Sequence, residues 1–165
     1  MSLLVVKDLG KSFGGLAAVD DVSFSIQPGE LLAMIGPNGA GKTTTFNMIN
    51  GQLRADRGSV VLSGQELLGK APREIWRFGV GRTFQIAETF ASLTAIENVQ
   101  MALLSHHRRL LSFLKPARDF ALDRAGALLE QVGMSEQADC ACSALAYGDV
   151  KRIELAMALA NEPKL

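Results

Sequence analysis

Apolar and polar residues alternate over residues 22–26, with Val22, Phe24 and Ile26 on one face and Ser23 and Ser25 on the other. A period of two marks a half-buried strand, and it predicts one over residues 18–26. The apolar run at residues 5–9 predicts a shorter strand ahead of it. Pro28 and Gly29 turn the chain into Leu31-Leu32-Ala33-Met34-Ile35, which predicts a buried strand over residues 30–35. Val60-Val61-Leu62, bounded by Gly58 and Gly64, predicts another over residues 57–64.

Elsewhere the period becomes helical. Residues 44–50 predict a short helix stopped by Gly51. Ile96, Val99, Leu103 and Leu104 recur at helical spacing from Thr94 onward and predict a second helix, and residues 120–132 predict a third, ended by Gly133. A fourth runs from about Asp149 to Asn161, with Val150, Ile153, Met157 and Ala160 as its apolar stripe and Pro163 beyond it. Strands come first, a helical stretch is inserted at about residues 90–135, and one more helix follows. That order predicts an α/β core with a helical insert.

The chain has 165 residues, enough for one domain with a core of its own. Its 17 basic and 17 acidic side chains cancel, which argues against a nucleic-acid partner held by charge. No apolar run approaches the ~20 residues that span a bilayer. The amino terminus lacks the basic start of a secretory signal, and a cytosolic location is expected. Cys140 and Cys142 lack a second ligand pair and read as free thiols, not a zinc site. The basic run 106–109 reads as a solvated connection.

One segment carries specific chemistry. Gly36-Pro37-Asn38-Gly39-Ala40-Gly41-Lys42-Thr43 fits G-x-x-x-x-G-K-[ST], the loop that cradles phosphates in nucleoside triphosphatases. The glycines let successive N–H groups point inward as an anion nest. The following helix adds its unpaired N–H groups and positive dipole end. Lys42 brings a full charge to the β- and γ-phosphates, and the Thr43 hydroxyl suits Mg²⁺. The loop alone leaves kinases, small GTPases, helicases and transporter ATPases open. A GTPase would need an N-K-x-D string, and the sequence has none.

Three further features narrow the choice: Phe13 in Lys11-Ser12-Phe13-Gly14-Gly15, Gln85 in Gly81-Arg82-Thr83-Phe84-Gln85, and Leu145-Ala146-Tyr147-Gly148-Asp149 ahead of a helix. With the phosphate loop, the chain resembles the ATP-binding cassette of ABC transporters. The L-A-Y-G string, Gly81-Arg82-Thr83-Phe84-Gln85 and residues 93–99 are most similar to the ATP-binding subunits of branched-chain amino-acid transporters. The resemblance implies an α/β P-loop nucleotide-binding core with an N-terminal antiparallel β subdomain and an inserted helical subdomain. It divides the chain into a β subdomain and P-loop core at 1–90, a helical subdomain with the signature at 91–148, and a helix leading to a further strand at 149–165.

The resemblance also implies roles. Phe13 stacks on adenine, while residues 36–43 and Thr44 hold the phosphates of ATP. Gln85, expected just after a strand, holds Mg²⁺ with Thr43 or positions the attacking water, so Lys42 and Gln85 are the catalytic candidates. Leu145, Ala146, Tyr147, Gly148 and Asp149 address the ATP of a second ATP-binding subunit. Ala146 stands where the family usually has Ser, and Asp149 where it has Gln, which predicts a weaker contact in trans. Membrane permease subunits are the implied partners, with a periplasmic or extracellular solute-binding protein acting indirectly, on the inner face of the membrane. The family pattern continues past Leu165 into a strand ending in Asp-Glu and then a His. Those positions fall outside the 165 residues, so the chain is expected to be an N-terminal portion, cut before the second half of the central sheet and leaving an unpaired edge. The water-activating carboxylate would then be missing. A non-hydrolysing nucleotide-binding fragment and a non-transport ABC ATPase are the alternatives.

Overall fold

The computed structural model describes residues 2–84, 89–106 and 120–165. The chain forms two compact units. One runs to Val80 and takes in Lys164–Leu165, and the other is Gly81–Pro163.

The first unit is built on an antiparallel sheet of order β2-β1-β3-β4. Its strands are β1 (Leu4–Phe13), β2 (Leu16–Ile26), β3 (Arg57–Leu62) and β4 (Gln65–Glu66). Gly14 and Gly15, both at positive φ, close the β1–β2 hairpin. Leu4 lies opposite Ile26 and Phe13 opposite Leu16. Strict alternation from Leu4 and Val6 would turn Asp8 inward. Instead Asp8 adopts φ 48°, and the register shifts between Val6 and Leu9. This bulge keeps Leu9 in the core and Asp8 in solvent.

Helices α1 (Lys42–Ile49) and α2 (Pro72–Arg77) complete the unit. Met48, Ile49 and Ile75 join Leu4, Val6, Leu9, Val60 and Leu62 in one apolar cluster. The sequence pattern gave no sign of α2. Its start rests on Pro72 at the first turn and on the Glu74 carboxylate, which accepts the Ala71 N–H at 2.9 Å.

Two expected strands do not form. Residues 30–35 are irregular chain, with Leu31 at 97% and Ile35 at 91% exposure. A strand needs a neighbour to take its N–H and C=O groups, and among the described residues none pairs with this segment. Residues 79–84 are likewise not a strand, so the strand expected just ahead of Gln85 is absent.

The second unit packs α3 (Ala95–His106), α4 (Leu122–Gln131) and α5 (Tyr147–Leu159) around Val99, Leu103, Leu128, Leu129, Ile153 and Ala156. Helix α3 opens on a reciprocal cap. The Thr94 hydroxyl accepts the Glu97 N–H at 3.3 Å, and the Glu97 carboxylate accepts the Thr94 N–H at 2.9 Å. Gly133, at φ 70°, follows α4 as the sequence predicts. Helix α5 starts two residues before the expected Asp149. The Ala146 carbonyl already accepts the Asp149 and Val150 N–H groups, at 2.9 and 3.1 Å. Asn98 is buried and binds the loop before α3: its side chain exchanges hydrogen bonds with the backbone of Phe90 at 2.8 and 3.1 Å.

Candidate functional site

The loop of residues 36–43 leads into α1. Gly39 and Gly41 take φ of 85° and 82°, a left-handed region costly for other residues. Gly41 is also the N-cap of α1. A Cβ there would lie 2.3 Å from the Ala18 carbonyl oxygen and 3.1 Å from Val19 Cγ2, so β2 and the loop can approach only because position 41 has no side chain. The first intrahelical bond runs from the Thr45 N–H to the Gly41 carbonyl at 2.8 Å. The N–H groups of Gly41, Lys42, Thr43 and Thr44 precede it and have no helical acceptor. They form a donor set for an anion.

Lys42 reaches back over this loop, its Nζ donating to the Gly36 and Pro37 carbonyls at 2.7 Å each. That holds a positive charge at the mouth of the nest. The Thr45 hydroxyl is committed to the Gly41 carbonyl at 3.0 Å. Thr43 and Thr44 make no side-chain hydrogen bond within the described residues, so their hydroxyls remain open to a ligand. Asn38 and Ala40 lie on the exposed turn between Pro37 and Gly41, closed by the Ala40 N–H to Pro37 carbonyl bond at 3.2 Å.

Phe13 ends β1, 51% exposed, with one ring face beside the Lys11 ammonium at 5.5 Å. Ser12 pairs with Ala17, and Gly41 packs on the next residue, Ala18. The aromatic ring and the phosphate loop therefore belong to the same end of one hairpin. Asp56 fixes that end, accepting from Lys11 Nζ at 2.6 Å and from the Ser12 N–H at 2.8 Å. The Lys11 hydrogen bond, then the Ser12 N–H, holds the Asp56 carboxyl below its ordinary range, against a smaller upward effect of burial.

In the second unit, Leu145 and Ala146 are extended, and Tyr147, Gly148 and Asp149 form the first turn of α5. A Cβ on Gly148 would meet nothing within 4 Å, so internal packing does not require glycine there. The Asp149 carboxylate lies 3.7 Å from the Arg152 guanidinium, which offsets part of its charge. Gln85 lies outside the described residues.

The model of the ABC transporter family matches residues 19–165. The chain belongs to this family. It carries part of the ATP-binding subunit, in the α/β cassette fold. The cassette is 40% identical, over 99% of its own length, to the high-affinity branched-chain amino acid transport ATP-binding protein LivG of Escherichia coli strain K12. It is 36% identical to the corresponding BraF protein of Pseudomonas aeruginosa. Two crystal structures of ABC transporter cassettes, one nucleotide-free and one in an ADP conformation, each match with a TM-score of 0.84, at 31% and 32% identity. The cassette spans about two thirds of these relatives: 67% of the two transport proteins and 66% of the two crystallised chains.

Two supports of the site were not picked out in the sequence. Lys11 and Asp56 hold the Phe13 end of the hairpin, yet 45 residues separate them. Glu154 on α5 is the other, 4% exposed although its residue type belongs on a solvated face. Its one legible signal was its place beside Ile153 on the apolar stripe. The two cysteines are free, Cys140 exposed and Cys142 buried. Burial pushes the Cys142 thiol up, with Thr89 acting the other way, which makes it a weak nucleophile. Among the described residues no cluster of metal-ligating side chains occurs and no helix is long and apolar enough to cross a membrane.

Proposed function

We propose that residues 36–43 bind the triphosphate of ATP and that the cassette works as the ATP-hydrolysing subunit of a transporter for branched-chain amino acids. The observation that carries the reading is the loop itself. Gly41 is wedged against Ala18, four N–H groups of residues 41–44 are unspent, and Lys42 is held over the Gly36 and Pro37 carbonyls. That arrangement fits an anion of several charges.

Within this reading Lys42 neutralises the β- and γ-phosphates, and the free Thr43 hydroxyl holds Mg²⁺ with Gln85. Mg²⁺, when bound, supplies charge that offsets the phosphates in the transition state. The outer face of Phe13 takes the adenine, a stacking contact worth about 1–3 kcal/mol. The Lys11–Asp56 pair keeps the ring at the edge of the hairpin. Residues 145–149 present the start of α5 to the nucleotide of a second ATP-binding subunit, and the open space around Gly148 supports a close approach there. Permease subunits receive the motion at the membrane, with the cassette peripheral on its inner face, and a solute-binding protein delivers the amino acid from outside. The names of the LivG and BraF relatives support the choice of solute.

The test is ATP binding measured by calorimetry with Mg²⁺, on the chain and on Lys42→Ala. Saturable binding by the chain that Lys42→Ala weakens supports the reading. Binding that is absent, or indifferent to Lys42, removes it.

A further inference from the structure

Phe84 lies in irregular chain, yet both of its backbone polar groups are held by side chains of α5. Its N–H donates to Glu154 Oε1 at 2.6 Å, and its carbonyl accepts from Lys151 Nζ. Lys151 also donates to Glu154 Oε2 at 2.8 Å, which closes a ring of three interactions. Glu154 is 4% exposed. A carboxylate that deep is costly unless each oxygen has a donor, and here each has one. The pair supplies what a neighbouring strand would otherwise give to one residue of a sheet. Arg82 adds a second hold, its guanidinium 4.8 Å from the centre of the Phe84 ring.

The position gives this clamp its meaning. Gln85 is the next residue in the chain, and α5 begins with Tyr147, Gly148 and Asp149. Lys151 and Glu154 lie one and two turns into the same helix. We propose that Lys151 and Glu154 are positioning residues that tie the backbone entering Gln85 to the helix headed by residues 145–149, so that the two nucleotide-facing segments keep one fixed spacing. This rests on the proposed ATPase reading for its consequence, while the contact itself does not depend on nucleotide. Neither side chain is assigned to touch ATP. Their effect passes through where Gln85 starts.

Two measurements test it. Amide hydrogen exchange on the chain reads the contact. Glu154→Ala should speed Phe84 exchange about 10- to 100-fold, the range for losing a hydrogen bond to a charged acceptor. Glu154→Gln keeps an acceptor oxygen and should hold exchange within about threefold of the parent. Amides in the middle of α5 should stay protected in both, which shows that the unit is folded. Steady-state ATP turnover in the complex with the permease reads the consequence. Glu154→Ala should lower kcat about tenfold with KM for ATP changed less than about twofold, and Glu154→Gln should recover most of it. If Glu154→Ala does not fold, Lys151→Gln, at a partly exposed position, carries the kinetic arm with the same expected split. Unchanged Phe84 exchange in Glu154→Ala overturns the proposal. So does faster exchange with unchanged kcat, or a rise in KM alone. A parent chain that binds no ATP would instead overturn the ATPase reading, with the exchange result still standing.

Discussion

Gly41 lies so close to Ala18 that a single added carbon would sit 2.3 Å from the Ala18 carbonyl oxygen. Carbon and oxygen do not approach that closely without moving backbone, and Gly41 also holds φ 82°. Gly41→Ala should therefore force the loop off β2 and misalign the N–H groups of residues 41–44. We expect loss of measurable ATP binding and a cost to stability of about 1–3 kcal/mol, from strain at a left-handed position. Gly39→Ala shares the φ penalty but meets nothing within 4 Å, so it should cost less. Chemical denaturation of the two variants checks the order.

Phe13 is half exposed and has one face against Lys11. Removing the ring should weaken ATP binding and spare inorganic pyrophosphate, which has no base. Phe13→Ala should cost about 1–3 kcal/mol in ATP affinity, about 5- to 150-fold, and Phe13→Trp should cost little. Competition binding with both ligands separates the base contact from the phosphate contact.

Asp56 gives the same hairpin end a dependence on pH. Its carboxyl is held below the ordinary value of 3.8 by the Lys11 hydrogen bond and the Ser12 N–H. A carboxyl depressed in the folded state adds stability above its unfolded pKa and loses it as pH falls through the folded one. The melting temperature of the chain should exceed that of Asp56→Asn near neutral pH. The gap should narrow as pH falls from about 5 toward about 3. Thermal melts across that range check it. A gap that widens on acidification would contradict the assignment.

Much of this site was legible because local chemistry is strict. A left-handed turn before a helix needs glycine, and residues 36–43 carry their glycines at the spacing that the turn demands. The helices were legible too, since α3, α4 and α5 bury a stripe at helical spacing. Residues 30–35 were not, because an apolar run specifies a strand only where a partner is at hand, and none pairs with it among the described residues. The Asp56 and Glu154 contacts span 45 and 70 residues, from Lys11 to Asp56 and from Phe84 to Glu154. Such pairings belong to the tertiary fold, and no local period announces them. The short α2 lies below the length at which a helical period becomes visible.

The unpaired segment has a consequence in solution. Leu31 and Ile35 expose apolar side chains on a stretch that pairs with no strand among the described residues, a template for pairing with other chains. Leu31→Lys should raise the concentration at which the chain self-associates, with its stability changed by less than about 0.5 kcal/mol, as for an exposed site. Light scattering against concentration reads this directly. Equal self-association of parent and variant would show that the segment is not the contact.

The central claim is that residues 36–43 hold a triphosphate through Lys42 and the N–H groups at the start of α1. Calorimetric titration of the chain with MgATP, beside Lys42→Ala, tests it most directly. The account predicts saturable binding of one nucleotide, weakened about 10- to 150-fold when the charge-assisted hydrogen bonds of Lys42 are lost. Equal affinity of parent and Lys42→Ala, or no binding by the folded parent, would contradict it.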